Sequence, residues 1–125
     1  MNGYGAYKKV QSATSTTNAR DMEYRLLAQV TGALQDSEKP GASLQDRLNA
    51  VLRNEKVWSV FLAELNDPAN ALPQALKGNL ASLALWVIKE TQLVISDANA
   101  PLEDLILINR QIMAGLKPEP AALAG

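Results

Sequence analysis

The chain has 125 residues, enough for one domain with a core that needs no covalent staples. Its 47% hydrophobic and 20% charged residues exclude an intrinsically disordered chain. It has no cysteine and no histidine, which removes disulfides, thiolate metal sites and the usual general base, and its net charge of −1 argues against a dedicated nucleic-acid binder.

Residues 1–17 are small and polar, with Tyr4, Tyr7 and Val10 spaced by three. That spacing predicts a short amphipathic turn that docks Tyr4 and Tyr7 onto the rest of the fold. The run Ser12-Ala13-Thr14-Ser15-Thr16-Thr17 reads as a solvated break. The N-terminus lacks the apolar stretch of a secretory signal, so a cytoplasmic protein is expected.

A first helix is predicted from Asn18, whose side chain can cap it, with Asp21 and Glu23 at its positive end. Met22, Leu26, Val30, Ala33 and Leu34 supply its apolar stripe, widened by Leu27. Gly32 weakens it or admits a close neighbour. Residues Asp36 to Gly41 form the turn that follows.

Ser43, with Asp46 three residues on, starts a second helix. Its stripe is Leu44, Leu48, Val51, Leu52, Trp58, Leu62 and Leu65, with Val57 and Phe61 on a flank. Glu55 falls inside this stripe and is expected at the edge of the bundle or paired with an arginine. Asn66-Asp67-Pro68 closes the helix.

The stretch from Leu72 to Ile95 is the most apolar. Pro73 suits a first-turn position, and Leu76, Leu80, Leu83, Val87, Thr91 and Val94 recur at helical spacing. Trp86 and Leu93 overflow one flank, Ile88 and Ile95 the other, and Leu85 points nearly opposite. A helix apolar over so much of its circumference is expected to be central and buried. Gln74, Lys77, Asn79, Lys89, Glu90 and Gln92 interrupt it, which argues against a membrane span.

A last helix begins near Pro101, with Asn99 as a candidate cap. Its stripe is Leu102, Leu105, Ile106, Ile112, Met113 and Leu116, with Asn109 in the middle, and Gly115 and Pro118 mark its end. Residues 118–125 read as a mobile tail. No segment has a strand's sustained period of two. The expected fold is all-α: one domain over residues 1–125, an antiparallel four-helix bundle with a short N-terminal helical turn.

Catalysis is poorly supplied. Ser59 and Ser82 sit mid-helix with no histidine to activate them, and the adjacent Glu103 and Asp104 diverge by about 100°. There is no phosphate loop, and the Glu-x-x-His pairs of di-iron bundles are impossible here. No catalytic residue, cofactor or metal is expected. Three mid-helix asparagines stand beside large apolar residues: Asn54 near Trp58, Asn79 near Trp86, and Asn109 within its stripe. They either fix helix register through buried hydrogen bonds, the favoured reading, or read a bound helix. Trp58, Phe61 and Trp86 carry the same ambiguity between core and interface anchor. The candidate partner-binding residues are Trp58, Phe61, Asn79, Leu85, Trp86, Leu93 and Asn109.

The sequence resembles the flagellar biosynthesis regulator FlaF family of alphaproteobacteria from Tyr4-Gly5-Ala6-Tyr7 to Gly115-Leu116. The resemblance is carried by Asn54-Glu55-Lys56-Val57-Trp58-Ser59-Val60-Phe61-Leu62, by Leu72-Pro73 with Leu76-Lys77-Gly78-Asn79-Leu80, and by Ile108-Asn109-Arg110-Gln111-Ile112 with Ala114-Gly115-Leu116. Arg20-Asp21-Met22-Glu23 also fits, although Asn18-Ala19 stands where the family often has Ser-Pro. The Ser/Thr cluster and the tail PEPAALAG are departures. The resemblance implies a protein that promotes flagellin synthesis and export, works opposite the translation regulator FlbT, and binds flagellin as a secretion chaperone. The alternative is a regulator of flagellin mRNA translation acting through a partner such as FlbT. Direct RNA contact is not expected from scattered basic residues, and no membrane association is expected.

Overall fold

The computed structural model describes residues 21–116. The expected Tyr4–Tyr7 turn, the Asn18 cap, the Ser/Thr break and the tail lie outside the described residues. Within them, every regular element is a helix: α1 over 21–37, α2 Leu44–Asn66, α3 Gln74–Ser96 and α4 Glu103–Leu116. Short turns connect them, and the helices run alternately up and down as a bundle.

Helix α2 starts where its capping chemistry dictates. The Asp46 N–H donates to Ser43 Oγ at 3.0 Å, and the Ser43 N–H donates back to Asp46 Oδ2 at 3.1 Å. This reciprocal pair satisfies two donors that the first turn would otherwise leave open. Pro73 stands one residue outside α3, as its N-cap, with extended ψ of 144°. Its carbonyl accepts the Lys77 N–H at 2.9 Å and so begins the helical ladder. Asn99 does not cap α4. Its N–H turns back to Asp97 Oδ1, and α4 begins at Glu103.

The core is built from all four helices: Leu27, Val30 and Leu34 of α1, Ala50, Val51 and Trp58 of α2, Ala84, Val87 and Val94 of α3, and Leu102, Leu105 and Ile106 at and beyond the start of α4. On α1 the buried stripe is rotated from the expected one. Leu27, Val30, Thr31 and Leu34 face inward, whereas Met22 and Leu26 are exposed. Thr31 earns its inward position by donating its hydroxyl to Met113 Sδ of α4 at 3.8 Å. On α2, Leu44 and Leu52 are exposed, and Glu55 pairs with no arginine but accepts from Gln92 Nε2 of α3 at 3.4 Å.

Helix α3 is not the central buried element. Only Ala84, Val87, Thr91 and Val94 are buried, a single inward line that starts near its middle, and no residue from Gln74 to Leu83 is buried. Its polar interruptions fall so that one face enters the core and the other stays outside.

One end of the bundle is tied by long-range polar contacts. The Arg47 guanidinium, in the first turns of α2, donates to the carbonyls of Ala100 at 2.6 Å, Asp97 at 3.3 Å and Val94 at 3.5 Å. It thus satisfies acceptors at the negative end of α3. Glu38, just past α1, accepts the Leu102 N–H at 3.1 Å, ahead of α4. Gly41 takes φ of +90° in the α1–α2 turn, where a side chain would be strained.

Two stability changes follow. Gly32→Ala should stabilise by about 1 kcal/mol, because a Cβ there meets nothing within 4 Å and alanine is the better helix former. Gly41→Ala should destabilise by about 1–2 kcal/mol through its left-handed backbone. Urea denaturation of both variants measures the pair, and a destabilised Gly32→Ala would mean that a neighbour does approach that helix.

Candidate partner-binding site

The candidate residues divide into three environments. Asn54 and Trp58 lie four residues apart on α2 and share a face, to which α4 presents Asn109. Trp58 Nε1 donates to Asn109 Oδ1 at 2.8 Å, and Asn109 Nδ2 donates to Asn54 Oδ1 at 2.7 Å. All three side chains are buried. A buried amide needs partners, and these three largely supply one another, so the register reading of Asn54 and Asn109 holds. Asn109 has no free surface for a partner, which corrects the expectation that it reads a bound helix. The buried Asn54 Nδ2 finds no acceptor among the described residues.

The second environment is a groove of about 310 Å³ at the end of the bundle opposite Arg47. All four helices contribute: Glu23 of α1, Trp58, Phe61, Glu64 and Leu65 of α2, Leu76 and Leu80 of α3, and Gln111, Ile112 and Gly115 of α4, with Asn70 and Leu72 from the α2–α3 loop. Trp58 reaches it although it is only 2% exposed. Phe61, half-buried, packs edge-on against the indole with ring centroids 5.8 Å apart. Leu76 sits in line with the buried Val87 and Val94 of α3, yet it is 42% exposed, left partly uncovered by the described residues at this end. Leu65, Leu76, Leu80 and Ile112 were legible in the sequence as stripe residues. Their convergence on an open groove was not, because it depends on how far α3 extends beyond its neighbours' cover.

The third environment is the outer face of α3. Asn79, Trp86 and Leu93 are spaced by seven residues, which on a straight helix drifts only about 20° per step and so makes one line. Leu85 lies beside it. Leu85 and Leu93 are each 57% exposed, Trp86 is 36% exposed, and Asn79 is exposed with no interhelical bond among the described residues to fix register. Ser82 and Lys89 also lie on this face, and the half-buried Glu90 borders it one turn from Trp86. Leu85 and Leu93 thus lie off the core stripe as their positions in the sequence indicated, whereas Trp86, for which core was the favoured expectation, is only partly covered. Among the described residues no group of three metal-ligating side chains converges, and no helix is long and apolar enough to cross a membrane.

A comparison with protein families matches the model of the flagellar protein FlaF over residues 4–116. The chain belongs to the FlaF family. That membership makes it a flagellum-related protein, and the matched span runs from the first tyrosine to the last residue of α4. No curated protein and no solved structure matches the chain.

The buried triad makes a measurable prediction for this FlaF protein. Asn109→Leu leaves both the Trp58 indole N–H and the Asn54 carbonyl oxygen unpaired and should cost about 2 kcal/mol or more. Asn54→Leu removes the unpaired Asn54 Nδ2 and strands only one Asn109 donor, so it should cost less. The double variant should be less destabilised than the two singles together by about 1 kcal/mol. Additive singles in urea melts would show that the three groups do not act as a unit.

Proposed function

We propose that this FlaF protein binds flagellin through the outer face of α3, acts without catalysis as a secretion chaperone, and so promotes flagellin synthesis and export. The observation that carries this reading is the exposed line of Leu85, Trp86 and Leu93 on a helix whose opposite face is held in the core. Family membership supports the flagellar setting. The chemistry of the face supports the kind of partner. Flagellin before polymerisation has long amphipathic terminal helices, and such a helix laid against an apolar helical face is shielded from self-association.

The magnitudes are consistent with a chaperone that must later let go. Burying about 800 Å² of apolar surface gives a gross gain of ~20 kcal/mol at ~25 cal/mol per Å². Loss of rigid-body freedom and ordering of side chains offset much of it, leaving micromolar to nanomolar affinity. Trp86 suits the centre of such a contact, because a large indole gains area at little rotamer cost. Capturing flagellin before export places the protein in the cytoplasm.

Calorimetric titration of the purified protein with monomeric flagellin tests this reading. A one-to-one isotherm is expected, with affinity reduced at least tenfold by Leu85→Glu or Trp86→Glu. Leu85 is 57% exposed, so Leu85→Glu should change thermal unfolding little and isolates the binding effect, whereas Trp86, 36% exposed, should also lose some stability when replaced by a charge. No heat at several temperatures, with both partners folded and monodisperse, would overturn the chaperone reading. It would transfer the function to control of flagellin mRNA translation through FlbT.

A further inference from the structure

We propose that the end groove is occupied by the chain's own N-terminal segment, with Tyr4, Tyr7 and Val10 laid against its apolar wall. This inference is independent of what the outer face of α3 binds, since the groove lies at the bundle's end and is built from different residues.

The bundle is incomplete at the groove end. Along α3 the inward line that buries Val87 and Val94 continues to Leu76, where it emerges 42% exposed. A leucine on a core-facing line that reaches solvent marks surface that a further apolar element can cover at ~25 cal/mol per Å². Phe61 and Leu72 flank the same opening.

Position favours this occupant. Glu23 lines the groove and lies two residues beyond Asp21, the first described residue, so the described chain begins beside the groove. The ten residues between Val10 and Asp21 span ~33 Å when extended and ~15 Å when helical. A chain of that length that reverses direction in the Ser/Thr-rich stretch 12–17 can bring Tyr4, Tyr7 and Val10 back to the groove. Their spacing of three puts them on one side of a helical turn, and tyrosine suits a wall that is apolar below and carries Asn70 and Gln111 for its hydroxyl.

Charge favours the same segment. Residues 1–20 contain Lys8, Lys9 and Arg20 and no acid, whereas all 13 acidic residues of the chain lie beyond them. The charged side chains lining the groove are Glu23 and Glu64, both acidic. Lys8 and Lys9 immediately follow Tyr7, so a docked tyrosine brings them to this rim. The other terminus is a poorer occupant. Although it also leaves α4 near the groove, residues 117–125 hold one large apolar side chain, Leu123, and an acid, Glu119. The family match extends through the N-terminal segment to residue 4 and stops at 116, before this tail.

The chain has no native cysteine, so a nitroxide on Gln11→Cys reports the segment's position in the intact protein. Methyl NMR should show the signals of Leu72, Leu76, Leu80 and Ile112 broadened several-fold relative to the reduced label, with Leu85 and Leu93 unaffected. Adding Tyr4→Ser and Tyr7→Ser to the labelled chain should abolish the broadening while the circular dichroism spectrum stays helical. Mixing labelled chain with isotope-enriched, label-free chain should give none. Broadening that is absent, falls elsewhere or survives loss of both tyrosines would overturn the proposal. Broadening transferred between chains would overturn it too, by assigning the groove to a second copy.

Discussion

The hydrogen-bonded set of Trp58, Asn109 and Asn54 is the constraint on which the rest of this bundle depends. Apolar stripes alone would let α4 slide by a turn against α2 with little change in buried area. Two amides and an indole cannot slide, because each displaced donor or acceptor would lie unpaired in a low-dielectric core. The set therefore specifies where α4 stands along α2. Once α4 is placed, Met113 meets Thr31 of α1 and Leu102 comes within reach of Glu38. Register chosen in the middle of the molecule thus decides which groups meet at its ends.

The two ends are then treated differently. At one, Arg47 and Glu38 close helix termini with long-range hydrogen bonds, so α3 and α4 are joined tightly to the α1–α2 turn. At the other, four helices converge without closing, and apolar side chains from α2, α3 and α4 line an open groove. Helix α3 spans both regimes. From Ala84 onward it is packed through Val87, Thr91 and Val94, and its first ten residues contribute no buried one. The same helix keeps Leu85, Trp86 and Leu93 outside. An anchored helix with an apolar outer face can offer that face to a partner without first unfolding, which lowers the ordering cost of binding.

Much of this was legible in the sequence, for identifiable reasons. Four helices and their turns followed from apolar periodicity and from punctuation such as Ser43 with Asp46 and the Asn66-Asp67-Pro68 stop. Asn54 and Asn109 were marked because asparagine has little reason to sit mid-helix unless an amide partner awaits it. The failures share a cause: which face of a helix is covered depends on its neighbours. Leucine at 26 and methionine at 22 looked like core on α1, but the bundle axis lies on the side of Leu27 and Thr31. The hydrophobic excess of α3 suggested a central helix, whereas it reflects two apolar faces, one inward and one outward. Arg47 and Glu38 carried no signal, since their acceptor and donor lie more than fifty residues away.

The central claim is that a register-locked bundle leaves the outer face of α3 free to hold a flagellin helix. Hydrogen–deuterium exchange of the intact protein, with and without saturating monomeric flagellin, addresses it most directly. The account predicts slower amide exchange over the middle and second half of α3, around Ser82 to Leu93, with exchange across the α2–α4 junction at Asn54 and Asn109 unchanged. Protection centred on α4 or α1 instead, with α3 exchanging as in the free protein, would contradict it.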